Sequence, residues 1–306
     1  EDRTRTLGPA HPVTLTSRGN LAGAYREAGR LDEAIRLFEQ NLADFARLAG
    51  PDHLDTLTSR GNLANAYQAA GRLDQAISLF ERNLTDFIRV LGTDHPETLA
   101  WRDKLAGAYQ AAGRLNEAIS LFERNLTDFI RVLGSHHPET LASRGNLAGA
   151  YQAAGRLDRA IPLFEQNLED RTRVLGPDHR DTLASRNNLA GAYQAAGRLD
   201  QAIPLLQQTL DDSARILGAH HPRTLTSRNN LAGAYQAAGR LHEAIPLFEQ
   251  ALTDCTYILG PHHPDTLNTR NNLAGAYQAA GRLSEAIPLF EQTLTDCTYI
   301  LGLHHP

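Results

Sequence analysis

A chain of 306 residues with 30 basic and 35 acidic side chains, a formal charge of −5 and 42% hydrophobic residues excludes several classes at once. It has no apolar run near the roughly 18–20 residues that span a bilayer and no basic excess of the kind that gathers phosphates. Neither a membrane nor a nucleic-acid partner is therefore expected. Two cysteines build no disulfide framework and fit a reducing, cytoplasmic setting. Glu1 to Arg5 carry no signal-peptide pattern, and methionine is absent even from position 1, which predicts a processed or excised piece of a longer protein.

From the first residues onward the chain repeats. The glycine of a Leu-Gly or Ala-Gly pair returns at Gly8, Gly50, Gly92, Gly134, Gly176, Gly218, Gly260 and Gly302, every 42 residues and without insertion. Residues 1–12 read as the end of a preceding repeat, and the full repeats run 13–54, 55–96, 97–138, 139–180, 181–222, 223–264 and 265–306. The length alone suggests two globular domains; the periodicity replaces them with one array over 1–306.

Each repeat reads as two helices. In the first, Leu15, Arg18, Leu21, Ala22 and Tyr25 recur at the three- and four-residue spacing of one helical face. Gly29 follows, where a helix ends in a left-handed residue. A second run carries Ala34, Ile35, Phe38, Leu42, Phe45 and Leu48 and stops at Gly50. Asp52 before Asp55, and Asp94 before Glu97, have capping-box spacing, and Pro96 suits a first helical turn. Pro162, Pro204, Pro246 and Pro288 fall early in second helices. No segment alternates with period two. The predicted fold class is all-α, a stack of hairpins that bury one another.

The candidate chemistry is sparse. Histidines recur at His11, His53, His95, His137, His179, His221, His263 and His305, with neighbours at His136, His220, His262 and His304. Successive copies should lie about 10 Å apart, one helix-packing distance, too far to share an ion. The expected role is to cap or buttress the following helix, with no metal and no cofactor. Cys255 and Cys297 occupy the position of Phe45, Phe87 and Phe129 and read as core residues. No nucleophile with a dedicated base and no Gly-x-x-x-x-Gly-Lys loop is present, so no enzyme is expected. Arg18, Arg60, Arg102, Arg144, Arg186, Arg228 and Arg270 form a ladder matched by Asp44, Asp86, Asp128, Asp170, Asp212, Asp254 and Asp296. Internal ion pairs are the first expectation for it; an arginine row facing an acidic ligand is the alternative.

Period alone leaves HEAT and armadillo arrays open, and the small-residue code separates them. Ala22, Tyr25, Gly29 and Ala34, and the run Asn187 to Tyr193 followed by Gly197-Arg198-Leu199 and Ala202-Ile203-Pro204-Leu205, resemble tetratricopeptide repeats. The likeness is to the 42-residue variety of kinesin light chains and bacterial regulatory proteins, and it covers every repeat. It implies an α-solenoid, a right-handed superhelix of seven hairpins whose first helices line a concave peptide-binding groove. Placed there by the resemblance are Asn20, Asn62, Asn146, Asn188, Asn230 and Asn272, with Asn187, Asn229 and Asn271 beside them. Gln152, Gln194 and Gln236 follow further along. An amide both donates and accepts, and so can grip a peptide backbone of any sequence.

The third repeat departs from its neighbours with Trp101-Arg102-Asp103-Lys104, the only tryptophan and the only lysine of the chain. That is either drift or a specificity spot with an aromatic and a charge pair at the groove. The resemblance also implies a protein or peptide partner and a sensor or adaptor region of a larger bacterial protein. Near-consensus repeats at both ends allow head-to-tail self-association, and an architectural module that stacks without a separate ligand is the competing expectation.

Overall fold

The computed structural model describes Gly8 and residues 11–304, with side chains to 298. Fourteen helices and no strand occur among the described residues. They divide between two compact units, Glu1–Arg156 and Leu157–Pro306. The first unit holds α1 (Pro12–Glu27), α2 (Leu31–Ala49), α3 (Leu54–Ala69), α4 (Leu73–Leu91), α5 (Pro96–Ala111), α6 (Leu115–Leu133) and α7 (Pro138–Ala153). The second holds α8 (Leu157–Leu175), α9 (Arg180–Ala195), α10 (Leu199–Leu217), α11 (Pro222–Ala237), α12 (Leu241–Leu259), α13 (Pro264–Ala279) and α14 (Leu283–His304). The segment predicted to end a preceding repeat, 1–12, lies outside the described residues apart from Gly8, His11 and Pro12, as do His305 and the side chain of His304.

First helices start on histidine. His11, His53, His95, His137, His179, His221 and His263 sit in extended backbone, and each Nδ1 accepts from the backbone N–H two residues on, at 3.2 Å. The expected aspartate capping boxes do not form, because each helix begins one residue later than an Asp52 or Asp94 cap requires. Asp52 and Asp94 instead accept from Arg89 and Arg131 of the next second helix. Proline occupies the first helical turn in α1, α5, α7, α11 and α13, where its missing N–H costs nothing.

The ends need glycine. At the end of α3, Gly71 has φ +71°, its N–H bonds to the Gln68 carbonyl and the Arg72 N–H to the Tyr67 carbonyl, a Schellman closure. Gly92, ending α4, has φ 92° and ψ 166°, a region open essentially to glycine alone. These two conformations fold the hairpin and pass the chain to the next repeat.

Within each unit every helix packs on its neighbour in sequence. Second helices bury one stripe, as Ala76, Ile77, Phe80 and Phe87 do in α4. First helices are enclosed on more than one side and carry fully buried alanines at Ala64, Ala66, Ala106 and Ala108, which let backbones approach. Polar clasps fix the register between repeats. Tyr67 donates to Glu39 at 2.7 Å, Tyr109 to Glu81, Tyr193 to Glu165 and Tyr277 to Glu249 at 2.6 Å, and Tyr151 to Glu123. Burial and the glutamate together push the Tyr109, Tyr193 and Tyr277 phenols up to about 12.

Candidate functional site

The arginine ladder is internal. Arg18 meets Asp44 at 2.7 Å, Arg60 meets Asp86 at 2.5 Å, Arg102 meets Asp128 and Arg270 meets Asp296 at 2.6 Å, and Arg186 meets Asp212 at 2.7 Å. Arg228 pairs with Asp254 in the same way. Each pair joins the two helices of one repeat, and the Arg60 side chain is only 4% exposed. A row of arginines held out to an acidic ligand is thereby overturned, since the guanidinium groups are largely buried, spent on aspartates of their own repeat, and would be costly to leave unpaired. Burial pushes Asp86, Asp128 and Asp212 up, but hydrogen bonds from two arginines each outweigh it and hold them below the usual carboxylate range.

With the arginines withdrawn, what remains on the first-helix face is a recurring hollow between one first helix and the next, floored by the second helix between them. Three positions decide its contents. One is Ser59 in α3, replaced by Trp101 in α5. The second is Gly19 or Gly61, replaced by Asp103, Asn187, Asn229 or Asn271. The third is Phe45, Phe87 or Phe129, replaced by Arg171, Ser213, Cys255 or Cys297.

Between α1 and α3 the hollow is open, about 310 Å³, with Gly19, Phe38, Asn41, Phe45 and Ser59 in its wall. Between α3 and α5 the indole of Trp101 fills it, 6% exposed and stacked on Phe87 with ring centroids 5.5 Å apart. A Cβ on Gly61 would stand 1.7 Å from Trp101 Cη2, so only glycine admits the ring. Trp101 is thus a core residue, and of the expected aromatic and charge pair at the groove only Lys104 is exposed, with Nζ 5.2 Å from the indole centroid.

Between α5 and α7 the filler is Asp103. Its Oδ1 accepts from Asn125 at 2.6 Å and Ser143 at 3.0 Å, and its Oδ2 from Asn146 at 3.2 Å. Burial nevertheless raises its pKa, with the three hydrogen bonds opposing. In α8, Arg171 takes the phenylalanine position and donates to the Asp181 carbonyl at 3.0 Å and Ser185 Oγ at 3.1 Å. The hollow reopens between α9 and α11, about 260 Å³, walled by Asn187, Asn188, Ser213, Ser227 and Asn230. A smaller one of about 110 Å³ between α11 and α13 includes Asn229 and Cys255. Cys255 and Cys297 are free thiols, Cys255 buried as expected for a core residue.

The predicted amides sort accordingly. In the first unit Asn20 and Asn62 face each other across the first hollow, Asn146 is bound to Asp103, and Gln152 is half-buried. In the second, Asn187, Asn188 and Asn230 share one hollow, and the Asn187 Oδ1 is buried without a partner. Asn272 donates to Asn229 at 3.4 Å. Asn271 is exposed, and Gln194 and Gln236 are half-buried beside the helix-ending turns. The hollow itself escaped the sequence reading, although three varying positions in a nearly constant repeat were its signal. No group of histidine, cysteine and acidic residues able to hold a metal occurs among the described residues, and no helix there is long and apolar enough to cross a membrane.

Caps, hairpins and paired repeats of this kind define a helical-repeat scaffold. The tetratricopeptide-repeat family pattern matches at residues 1–45, 13–85, 55–126, 98–169, 141–213, 184–256 and 223–297, and the chain belongs to that family. Its repeats are of the kinesin-light-chain-like type. The crystal structure of nearly identical TPR-like repeats assigned to a kinesin light chain of Podosopora anserina is 39% identical, covering 67% of this chain and 98% of that one, with a TM-score of 0.59. BtubC (BKLC) from P. vanneervenii shares the fold at 22% identity, covering 76% of this chain and 94% of that one, TM-score 0.63. So does the signal transduction ATPase with numerous domains (STAND) protein with a tetratricopeptide repeat sensor from Pyrococcus horikoshii, at 13% identity, covering 95% of this chain and 43% of that one, TM-score 0.64. Among curated proteins none matches significantly.

Proposed function

We propose that the chain is a non-enzymatic interaction scaffold that holds an extended peptide or protein segment on its first-helix face. The observation that supports this is the hollow between α9 and α11. Its amides are not used up by the fold, and the buried Asn187 Oδ1 accepts from nothing, an acceptor whose desolvation a ligand N–H would offset. The reading extends to one array over 1–306, serving as the sensor or adaptor region of a larger cytoplasmic bacterial protein. The Pyrococcus horikoshii protein, whose repeats are described as a sensor, supports that role. Replacing Asn188 and Asn230 together by alanine is expected to weaken peptide binding roughly tenfold or more, at about 1 kcal/mol per lost hydrogen bond, with the helical circular-dichroism signal unchanged. An unchanged affinity removes both residues from the site.

A second reading, end-to-end stacking, rests on α14. There Leu283, Ile287 and Leu294 are 53%, 51% and 69% exposed, whereas Ile35 and Ile77, the counterparts of Ile287, are buried. Leu21 and Ala24 of α1 are exposed where the matching Leu63 and Ala66 are buried. Light scattering of the 306-residue chain against concentration separates the readings: growing chains favour stacking, a constant monomer mass the scaffold alone.

A further inference from the structure

The first helices all begin on the same atom. Each capping histidine uses its Nδ1 as the acceptor for the N–H two residues on, which an imidazole can do only while neutral, with its proton on Nε2. A second proton goes on to Nδ1 and sets donor against donor. It also puts a positive charge at the positive end of a helix. Histidine is the side chain that makes this change between about pH 5 and 8. The caps therefore respond to protons, and the groups beside each ring decide how much is lost.

The capped residue differs from repeat to repeat. At α3, α9 and α13 it is Asp55, Asp181 or Asp265, whose carboxylate lies 3.5, 3.9 or 3.8 Å from the same Nδ1. A charged ring there loses the N–H but keeps a partner. Glu97 and Glu139 put an acid into the first turn of α5 and α7, and α1 has the neutral Val13. At α11 the capped residue is Arg223, and the first turn holds no acid. An imidazolium at His221 would meet a guanidinium and the helix's own positive end together. The charges on the neighbouring elements are engaged elsewhere. At the start of α9 the Arg180 carbonyl accepts from Arg223 Nη1 at 3.2 Å, and Asp181 lies 3.4 Å from Arg180 and 3.9 Å from His179. On α12, Asp254 pairs with Arg228, accepts from Gln250 at 2.9 Å and stands 3.8 Å from His220. A proton on His220 would tighten that last contact, so the two adjacent histidines answer acid with opposite sign.

We infer that the start of α11 is an acid-sensitive joint: as pH falls through the ordinary imidazole range, its first turn loses the His221 cap and opens, while first helices with an acid in that turn hold. The stabilisation is present in full above that range and is lost below it. Arg223, Thr226, Ser227 and Asn230 of α11 wall the hollow between α9 and α11, so the opening reaches the face on which the peptide is proposed to lie. For that consequence alone the inference rests on the scaffold reading, and the test uses no peptide, so that either idea can fail alone.

The 306-residue chain is followed by amide hydrogen exchange at about pH 7.5 and about pH 5.5, either side of the imidazole range, as protection factors corrected for the intrinsic rate. Thr224 and Leu225, whose N–H groups bond the His221 carbonyl at 2.8 and 3.1 Å, should lose protection about fivefold or more in acid, the worth of one N-cap. Leu57, bonded in the same way to the His53 carbonyl at 3.0 Å, should lose about twofold or less, because Asp55 favours the charge. His221→Asn, a cap that does not titrate, should abolish the loss at α11. Arg223→Asp, which restores the acid of the other first helices, should reduce it to that of α3 and carries the test if the asparagine variant does not fold. His220→Asn should leave it in place. Equal losses at α3 and α11 of the unaltered chain, no loss at α11, a full loss in whichever of the first two variants folds, or its disappearance in His220→Asn overturns the inference.

Discussion

Two repeat interfaces of the same design have diverged in opposite directions. Where α3 and α4 meet α5, the contact is closed. Trp101 lies buried against Phe80 and Phe87, the cluster continues through Leu63 and Leu105, and Tyr109 reaches back to Glu81 at 2.6 Å. Where α9 and α10 meet α11, the cluster shrinks to Ala190, Leu206, Leu231 and Ala234, and a hollow of about 260 Å³ stands where the indole would be. Gln207 replaces the clasping glutamate and donates to Asp211 in its own helix. The helices, caps and glycine turns are the same at both sites. Architecture in such a protein is therefore set by the constant positions, whereas the filling of each interface is set by a few variable ones.

The sharpest way to break the comparison is to remove the plug. Trp101→Ala should cost about 3–5 kcal/mol, as for other large aromatics in a packed core, read from denaturant unfolding. Ser227→Ala, at the equivalent position of the open interface, should cost about 1 kcal/mol at most, the worth of the hydrogen bond its Oγ gives the Arg223 carbonyl. If the two substitutions cost the same, the closed interface owes nothing particular to the indole. Hydrogen exchange offers an independent view, since regions with few buried apolar contacts open first. Amides of α10 and α11 should exchange before those of α4 and α5.

Much of this was legible beforehand, and the boundary is physical. Period, hairpin, glycine turns, histidine caps and the Arg–Asp pairing follow from local spacing, and the described helices bear them out, with six of the Arg–Asp pairs in place. The aspartate capping boxes did not survive because histidine one residue later offers Nδ1 to the same backbone N–H groups. The Trp101 site misled for another reason. The fit of an indole over Gly61 joins residues 40 apart on neighbouring helices, and a helical pattern says which face a residue shares but not which neighbour it enters. The amide rows were readable as a face, yet the unpartnered Asn187 Oδ1 and the pairing of Asn146 with Asp103 depend on that same cross-helix fit.

Asp103 gives a second test, at the interface filled by charge. Its pKa is raised by burial, so the folded state binds its proton more readily than the unfolded chain. Its contribution to stability therefore falls as pH rises from the ordinary carboxylate value through the raised one, and the full cost is present at neutral pH. Asp86 and Asp128 have the opposite sign. Held low by their arginines, they stabilise above the ordinary value and lose that contribution as pH falls through the lowered one. Asp103→Asn should accordingly stabilise the protein at neutral pH, with the gain shrinking toward about pH 4, measured as paired urea midpoints. A variant less stable than the parent at neutral pH would mean that the hydrogen bonds from Asn125, Ser143 and Asn146 outweigh the desolvation.

The smallest expected effect separates the clasp from the plug. Tyr109→Phe deletes only the hydroxyl that donates to Glu81, leaving the ring beneath Arg114, whose guanidinium carbon sits 4.3 Å from its centroid. The loss should be about 1 kcal/mol, the net worth of one hydrogen bond. Tyr235→Phe, where Arg240 covers the ring at 4.5 Å but the facing residue is Gln207, should cost less than about 0.5 kcal/mol. Because Arg114 and Arg240 stack alike, their contribution cancels in the difference, and what remains reports the glutamate alone. A double-mutant cycle of Tyr109→Phe with Glu81→Gln makes this explicit. The coupling should recover most of the Tyr109→Phe loss if the clasp acts as a pair. It should vanish if the tyrosine hydroxyl merely meets water at that edge, in which case the difference between the two interfaces reduces to Trp101, its glycine and Phe87.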